Sequence, residues 1–387
     1  MRKKILFVDN RSQYFVSHRL ALAAAVRDRL GEVHVTTLSR RDPDIEKIAA
    51  SGMAFHRLSR NSNNRSVLKP LSLALELGRL FDELRPDLIH IFTLKAMCVS
   101  GFSLLRAHPK AVLMTVTGLG YAFTSHSLKA RLLGASVAAI IPPLLKRVGD
   151  EFVFQNQDDL AIFHRRFGIE PERLFLIRGS GVDLGKYRAA DERAGTPTVA
   201  LVGRMLRDKG VVEFVEAARR LKQEGLQARF ILAGDPDPEN PAGIAPAQLQ
   251  QWHESGVVEW RGYCHDMPGL FAEAHVICLP SYREGAPRVL IEAASCGKPI
   301  VAADVSGCRE VVRHGETGLL VPARDSGALA EALRALIQNR ELRISMGREG
   351  RAFAERELSL DKVIGENFKL YEKHLGNGYE HHSSYRQ

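Results

Sequence analysis

Apolar and polar positions along this chain alternate between two periods. Short, continuous apolar runs read as buried strands: KKILFVD, VHVTTL, DLIHIF, AVLMTV and EFVFQN, then TVALVG, ARFILAG, VVEWRG, VICLP, PIVAAD and GLLVP. Between them lie longer segments with helical spacing, such as HRLALAAAVRDRL, VVEFVEAARRLKQEG and ALAEALRALIQNRELRISMGREG. Strands alternating with helices build a parallel sheet with helices on both faces. The pattern runs through twice. Between the passes, residues 185–197 (GKYRAADERAGTP) are polar, charged and bounded by Gly and Pro, which suits a linker. The expectation is an α/β protein of two doubly wound, Rossmann-like domains facing across a cleft. Residues 1–185 form the first and 198–360 the second, followed by a helix over 361–375 and a polar tail over 376–387.

Composition narrows the class. At 45% hydrophobic and 26% charged, the 387 residues are too apolar for a disordered chain and too polar for a membrane bundle. The formal charge is +9, and the basic surplus lies in residues 1–150, the last half being slightly acidic. A basic half implies an anionic partner (nucleic acid, phosphorylated substrate or anionic lipid), unless the charge only solubilises. The five cysteines, odd in number and without a CxxC pair, speak against a disulfide framework or zinc knuckle and for a reducing, cytoplasmic compartment. The start, MRKKILFVDN, breaks its apolar run at Asp9 and reads as a strand rather than a signal segment. The longest apolar run, Leu132 to Leu145, contains Pro142 and Pro143. It falls short of the about 20 residues that span a bilayer. Bracketed by Lys129, Arg131, Lys146 and Arg147, it suits a segment lying on an anionic membrane surface; the alternative is a kinked core hairpin.

Ligands of open parallel sheets sit beyond the carboxyl ends of the strands. The first strand leads into Asp9, Asn10, Arg11 and Ser12 without a GxGxxG, which counts against dinucleotide binding. GLGYAF (Gly118 to Phe123) permits a tight turn after AVLMTV and is a weak phosphate motif. TVALVG leads to Gly203, Arg204, Arg207, Asp208, Lys209, Gly210 and then a helix. Cations and glycines between a strand end and a helix start favour a diphosphate, bound by backbone N–H groups, the helix dipole and charge-assisted bonds. After VICLP come Glu284 and, eight positions on, Glu292. A carboxylate at the strand mouth suits sugar hydroxyls, and one further along the helix suits the paired hydroxyls of a ribose. Gly285 and Ala286 leave backbone N–H groups to face a phosphate or sugar. Glu292 interrupts an apolar helix, so its charge needs a partner. Asp42-Pro-Asp44 and Asp235-Pro-Asp237 match an Asp-x-Asp metal string, but two cations and a helix terminus already neutralise a diphosphate. No metal and no cofactor is expected.

LVGRMLRDKG, LAGD, RGYCHDM and LPSYREGAPRVLIEAASCGKPIVAADVSGCREVVRHGETGLLV occur in this order, and residues 198–325 resemble the nucleotide-sugar half of the retaining glycosyltransferases of family four, which have the GT-B architecture. SHRLALAAAV and TVTGLGYAFTSHSLKARLL resemble the subgroup that adds N-acetylhexosamine or related sugars to polyprenyl-diphosphate-linked acceptors in bacterial glycan assembly. The resemblance implies that Arg204 and Lys209, beside Gly203, grip the donor diphosphate as it leaves, and that Glu292 binds the ribose. Glu284, with the backbone of Gly285, Ala286 and Pro287, would hold the transferred sugar. Many relatives carry a histidine where Thr117 and Gly118 stand, and a Gly-Gly pair where NRSQYF follows the first strand. Ser17, His18 and Arg19, with Thr117 and Gly118, are the acceptor-side candidates. The implied activity is metal-independent, retaining transfer of a sugar, an N-acetylhexosamine from a UDP-sugar, to a glycan or lipid-diphosphate-linked acceptor. The enzyme would be peripheral at the inner face of the plasma membrane, with no nucleic-acid partner. A sugar-nucleotide epimerase and a non-catalytic polyanion-binding protein are the competing readings.

Overall fold

The computed structural model describes residues 2–39, 42–58, 69–107, 109–118 and 143–376. The chain divides into two compact units, Met1–Ile177 with Val363–Gln387, and Arg178–Lys362. The first unit's sheet runs β3 (Ala54–His56), β2 (Gly31–Thr37), β1 (Lys3–Asp9), β4 (Leu88–Phe92), β5 (Val112–Val116), β6 (Glu151–Phe154), β7 (Leu174–Leu176), parallel throughout. The second unit repeats the plan as β10 (Glu259–Trp260), β9 (Arg229–Ala233), β8 (Thr198–Val202), β11 (Val276–Leu279), β12 (Ile300–Ala303), β13 (Gly318–Val321), again parallel.

The central apolar runs became strands because they are buried on both faces. Every residue of β4, β5, β6, β8, β11 and β12 is buried. In the second unit one face packs Phe214, Phe230 and Leu333 into a core, and the other packs Tyr187, Phe271 and Leu290. The strands that the pattern did not announce, β3 and β7, are three residues each and lie at sheet edges, too short and too exposed to show a period.

Helices differ from expectation where a polar side chain intervenes. The long segment after β13 is two helices, Ser326–Gln338 and Arg340–Phe353, because the Asn339 side chain accepts from the Leu342 N–H and starts the second. The stretch after β1 likewise divides at Arg19, into Ser12–His18 and Leu20–Arg29.

Two boundaries also differ from the sequence reading. Residues 185–197, expected as a linker, belong to the second unit. Tyr187 is buried there, and the Glu192 carboxylate receives two bonds from Arg343, 2.7 and 2.8 Å. The final helix, Leu360–Leu375, returns to the first unit. Val363, Phe368, Leu370 and Tyr371 join the core beneath β1 and β4, and Lys373 and His374 meet the buried Glu151 at 2.5 and 3.1 Å.

Candidate functional site

In the second sheet the strand order reverses between β8 and β11. Such a switch point is where open parallel sheets bind ligands. Both sequence motifs end there. β8 runs out through Gly203 into the single turn Arg207–Lys209, and β11 into Pro280 and the loop to Pro287. The two loops are stitched together. The Tyr282 N–H and the Ser281 hydroxyl both donate to the Asp208 carbonyl, at 2.9 and 3.0 Å. Gly210 holds φ +72°, and a Cβ there would fall 2.2 Å from the Pro280 carbonyl oxygen. Only glycine permits that contact.

This stitching brings Lys209 Nζ to 2.5 Å from Glu284 Oε1. The side chains are 25% and 11% exposed, so the pair is sheltered yet reachable. Gly307 supports it from below: a Cβ there would meet the Gly285 and Glu284 carbonyl oxygens at 2.5 and 2.7 Å. Cys308 beside it is buried, and burial, reinforced by Glu284, pushes its thiol well up, so it stays a thiol.

The other candidates surround this pair within the second unit. A Cβ on Gly203 would meet nothing within 4 Å. Arg204 is half exposed and donates to Asp237 Oδ2 at 2.8 Å, so the second acid of Asp235-Pro-Asp237 is engaged with a cation. Glu292 is 6% exposed on the helix Arg288–Ser295. The partner its charge required is present: Arg288 Nε donates at 2.7 Å, and the Tyr187 hydroxyl bonds the same carboxylate. Burial and that carboxylate push the Tyr187 phenol up, which keeps it a donor. Pro287 is buried at the start of the helix, with Gly285 and Ala286 partly exposed before it.

The acceptor-side candidates lie in the first unit. Ser17, exposed near the end of its helix, donates to the Gln13 carbonyl at 2.7 Å and stands 2.6 Å from His18 Nδ1. Thr117 and Gly118 follow β5, partly exposed, with Gly118 at φ +140°. Residues 119–123 of GLGYAF, Lys129, Arg131 and most of the apolar run 132–145 lie outside the described residues.

Sequence reasoning named Arg19 but passed over the group around it at the first sheet's own switch point, between β1 and β4. Arg19 is 6% exposed, with its guanidinium carbon 4.5 Å above the Phe92 ring. Its Nε has no hydrogen-bond partner among the described residues. Near it, burial pushes the Asp9 carboxyl up to about 6, against the pull of Arg19 and two backbone N–H groups. His90, fully buried, bridges Tyr371 Oη and Thr115 Oγ1, each at 2.7 Å, and burial lowers its pKa well below the ordinary value. The one sequence signal was an arginine inside an apolar helical pattern.

Among the described residues no group of three or more His, Cys, Asp or Glu is placed to hold a metal ion. Asp42 instead accepts from Thr37 Oγ1 at 2.8 Å and the Ser12 N–H at 3.1 Å. Among the same residues no helix is long and apolar enough to cross a membrane.

Two parallel-sheet α/β units of this order have the GT-B architecture. The family models agree: "Glycosyl transferases group 1" matches residues 196–339, and "Glycosyl transferase 4-like" matches 4–143. The chain belongs to the group 1, family-four-like glycosyltransferases. It is 28% identical to the N,N'-diacetylbacillosaminyl-diphospho-undecaprenol alpha-1,3-N-acetylgalactosaminyltransferase of Campylobacter jejuni, over 97% of this chain and 100% of that one. Among solved structures it resembles the sucrose-phosphate synthase of Thermosynechococcus elongatus (TM-score 0.79, 22% identity, 96% and 99% of the two chains). It also resembles Anabaena HepE in complex with UDP and glucose (TM-score 0.77, 20% identity, 96% and 100%).

Proposed function

We propose that this glycosyltransferase moves an N-acetylhexosamine from a UDP-sugar to a hydroxyl of a polyprenyl-diphosphate-linked saccharide, with retained anomeric configuration and without a metal ion. The observation that carries the reading is the Lys209–Glu284 contact at the β8/β11 switch point. A diphosphate arriving there finds the Lys209 ammonium, the open face of Gly203, and Arg204 at the rim. The Arg204–Asp237 pair is exposed, and such pairs are worth only ~0–1 kcal/mol, so Arg204 exchanges partners easily. As the sugar–oxygen bond breaks, negative charge grows on the diphosphate, and a fixed cation stabilises that charge more than it stabilises the bound donor. Glu284, released from Lys209, accepts from hydroxyls of the transferred sugar. Glu292, held by Arg288 and Tyr187, accepts from the ribose. Gly285, Ala286 and Pro287 shape the wall beside the sugar.

The acceptor assignment draws on the relative that aligns along the whole chain, whose name specifies a diphospho-undecaprenol acceptor and an alpha-1,3 linkage. A UDP-hexosamine carries its sugar in the α configuration, so an α product is retention. The acceptor-side roles of Ser17, His18, Thr117 and Gly118 follow the first unit's part in this reading, and a lipid acceptor would place the enzyme at the inner membrane face. The test is transfer from UDP-N-acetylgalactosamine and UDP-N-acetylglucosamine to undecaprenyl-diphosphate saccharides, with EDTA present and the product anomer read by NMR. Acceptor-dependent release of UDP with an α-linked product is expected. Interconversion of the sugar nucleotide without acceptor, or activity lost to EDTA and restored by manganese, would overturn it.

A further inference from the structure

The opposite end of the second sheet holds a cavity of about 880 Å³ that this chemistry does not use. Its walls include His275, Lys298 and Pro299, just before β11 and β12, together with the helix Arg340–Phe353. The Lys209–Glu284 pair lies at the other ends of these strands, and four residues of strand span about 13 Å.

Lys298 is the anomaly. It is 4% exposed, and its ammonium makes no hydrogen bond or ion pair with the described residues. Its backbone fixes it there: Gly297 takes φ +65° and the Lys298 N–H donates to the Ala293 carbonyl at 3.0 Å, closing the helix that bears Glu292. The Arg340–Phe353 helix lies against that turn, where a Cβ on Gly347 would fall 2.1 Å from the Gly297 carbonyl oxygen. Its stem is buried while the unbonded ammonium stays accessible, and burial lowers its pKa against the pull of Cys296 and Glu192.

Two of the three neighbouring acids are already committed. Glu192 receives both its close bonds from Arg343, with Arg340 at 3.3 Å. Glu355 is held by Arg351 at 2.6 Å. The lining carries five cations (Lys298, Arg340, Arg343, Arg348 and Arg351) against three carboxylates (Asp191, Glu192 and Glu355), a surplus of two with His275 neutral. His275 is satisfied as a neutral ring, accepting from the Thr198 N–H at 3.0 Å and donating to the Arg193 carbonyl at 2.9 Å.

We propose that this cavity is a second anion site, one that binds a phosphate-bearing small molecule between Lys298 and Arg348. A phosphate group brings about two negative charges and several strong acceptors, which matches the surplus and the unpaired ammonium. A carboxylate brings one charge. The volume falls within the roughly 300–1,000 Å³ of small-molecule sites, so the phosphate can carry a sugar-sized body. The proposal is independent of the donor-site reading.

Thermal melts of the full chain with increasing inorganic pyrophosphate, at ionic strength held constant with sodium chloride, test it. Four proteins are compared: wild type, Lys209→Ala, Lys298→Met and Arg348→Ala. Stabilisation by pyrophosphate is expected in the wild type and retained in Lys209→Ala. The apparent affinity of that component should fall about tenfold in Lys298→Met and about threefold in Arg348→Ala, as loss of charge-assisted bonds requires. Without ligand, Lys298→Met should melt no lower than the wild type, because it keeps a buried apolar stem of similar length and removes only an unbonded charge. No response in the wild type, a response abolished by Lys209→Ala, or wild-type affinity in both Lys298→Met and Arg348→Ala would overturn the proposal. Should Lys298→Met fail to fold, the exposed Arg348→Ala decides alone.

Discussion

Each candidate side chain is set by a local balance of charge and burial, and single substitutions probe that balance. Lys209 meets Glu284 at 2.5 Å where the two loops converge. On the proposed mechanism, Lys209→Ala removes a preorganised cation from the leaving diphosphate. Such losses cost ~2.7–4 kcal/mol of barrier, so kcat should fall about 100- to 1,000-fold, with a smaller change in the donor KM. Steady-state kinetics on the donor and acceptor check it, and an unchanged kcat would remove Lys209 from the chemistry. Asp9 probes the opposite case, a carboxyl raised by burial from 3.8 to about 6, with Arg19 as its opposing charge and His90 neutral nearby. The folded state holds this proton more tightly than the unfolded chain. Its stabilising effect is therefore full below the unfolded value of 3.8 and is lost as pH rises through about 6. Asp9→Asn should flatten that part of the stability–pH curve, by roughly 1–3 kcal/mol between the two ends. Urea denaturation midpoints across this window measure it; parallel curves for the two proteins would contradict the assignment.

Turns and helix ends are the elements that place these side chains, and glycine carries the tightest of them. Gly210→Ala would force a Cβ into positive φ and against the Pro280 carbonyl. The Arg207–Lys209 turn and the β11 loop must then separate. A loss of about 1–3 kcal/mol in stability is expected, together with weaker binding of UDP. Calorimetry on the variant checks both, and wild-type affinity with a lowered melting point would show that the stitching does not position the donor site. At this scale the sequence was legible wherever one local rule decides the outcome. Strands buried on both faces stand out as apolar runs, and Lys209 and Glu284 each lie in the loop after such a run. The need of Glu292 for a partner was also visible. Its second partner, Tyr187, was not, because it comes from a polar stretch whose burial depends on the distant helix carrying Arg351 and on Phe271. The surroundings of Arg19 were hidden for the same reason: its neighbours Asp9 and Phe92 are brought together by pairing of β1 with β4, not by proximity in sequence. Asn339 ends one helix and caps the next, a break the periodicity of the segment concealed.

At the scale of the whole chain, the order of units does not follow the order of residues. The second unit is one continuous stretch, Arg178–Lys362, whereas the first is completed only when Val363 and the residues after it return. The returning helix fills the core with Phe368 and Tyr371, ties Tyr371 Oη to His90, and supplies Lys373 and His374 to a Glu151 that is 2% exposed. Without it, that carboxylate loses both side-chain partners, and a buried acid left alone destabilises by about 3–5 kcal/mol. The lost burial of two large aromatic side chains adds about 3–5 kcal/mol for each, and the combined loss is comparable to the whole stability of a domain. A fragment of residues 178–362 should therefore fold cooperatively alone and, on the proposed function, bind UDP. A fragment of residues 1–177 should fail to fold until a peptide of residues 360–376 is added in trans. Circular dichroism melts of the three samples decide the matter. A cooperative transition in residues 1–177 alone would mean that the last helix only decorates the first unit. Rescue by the peptide would show that the N-terminal unit cannot finish folding until the last helix of the chain is available.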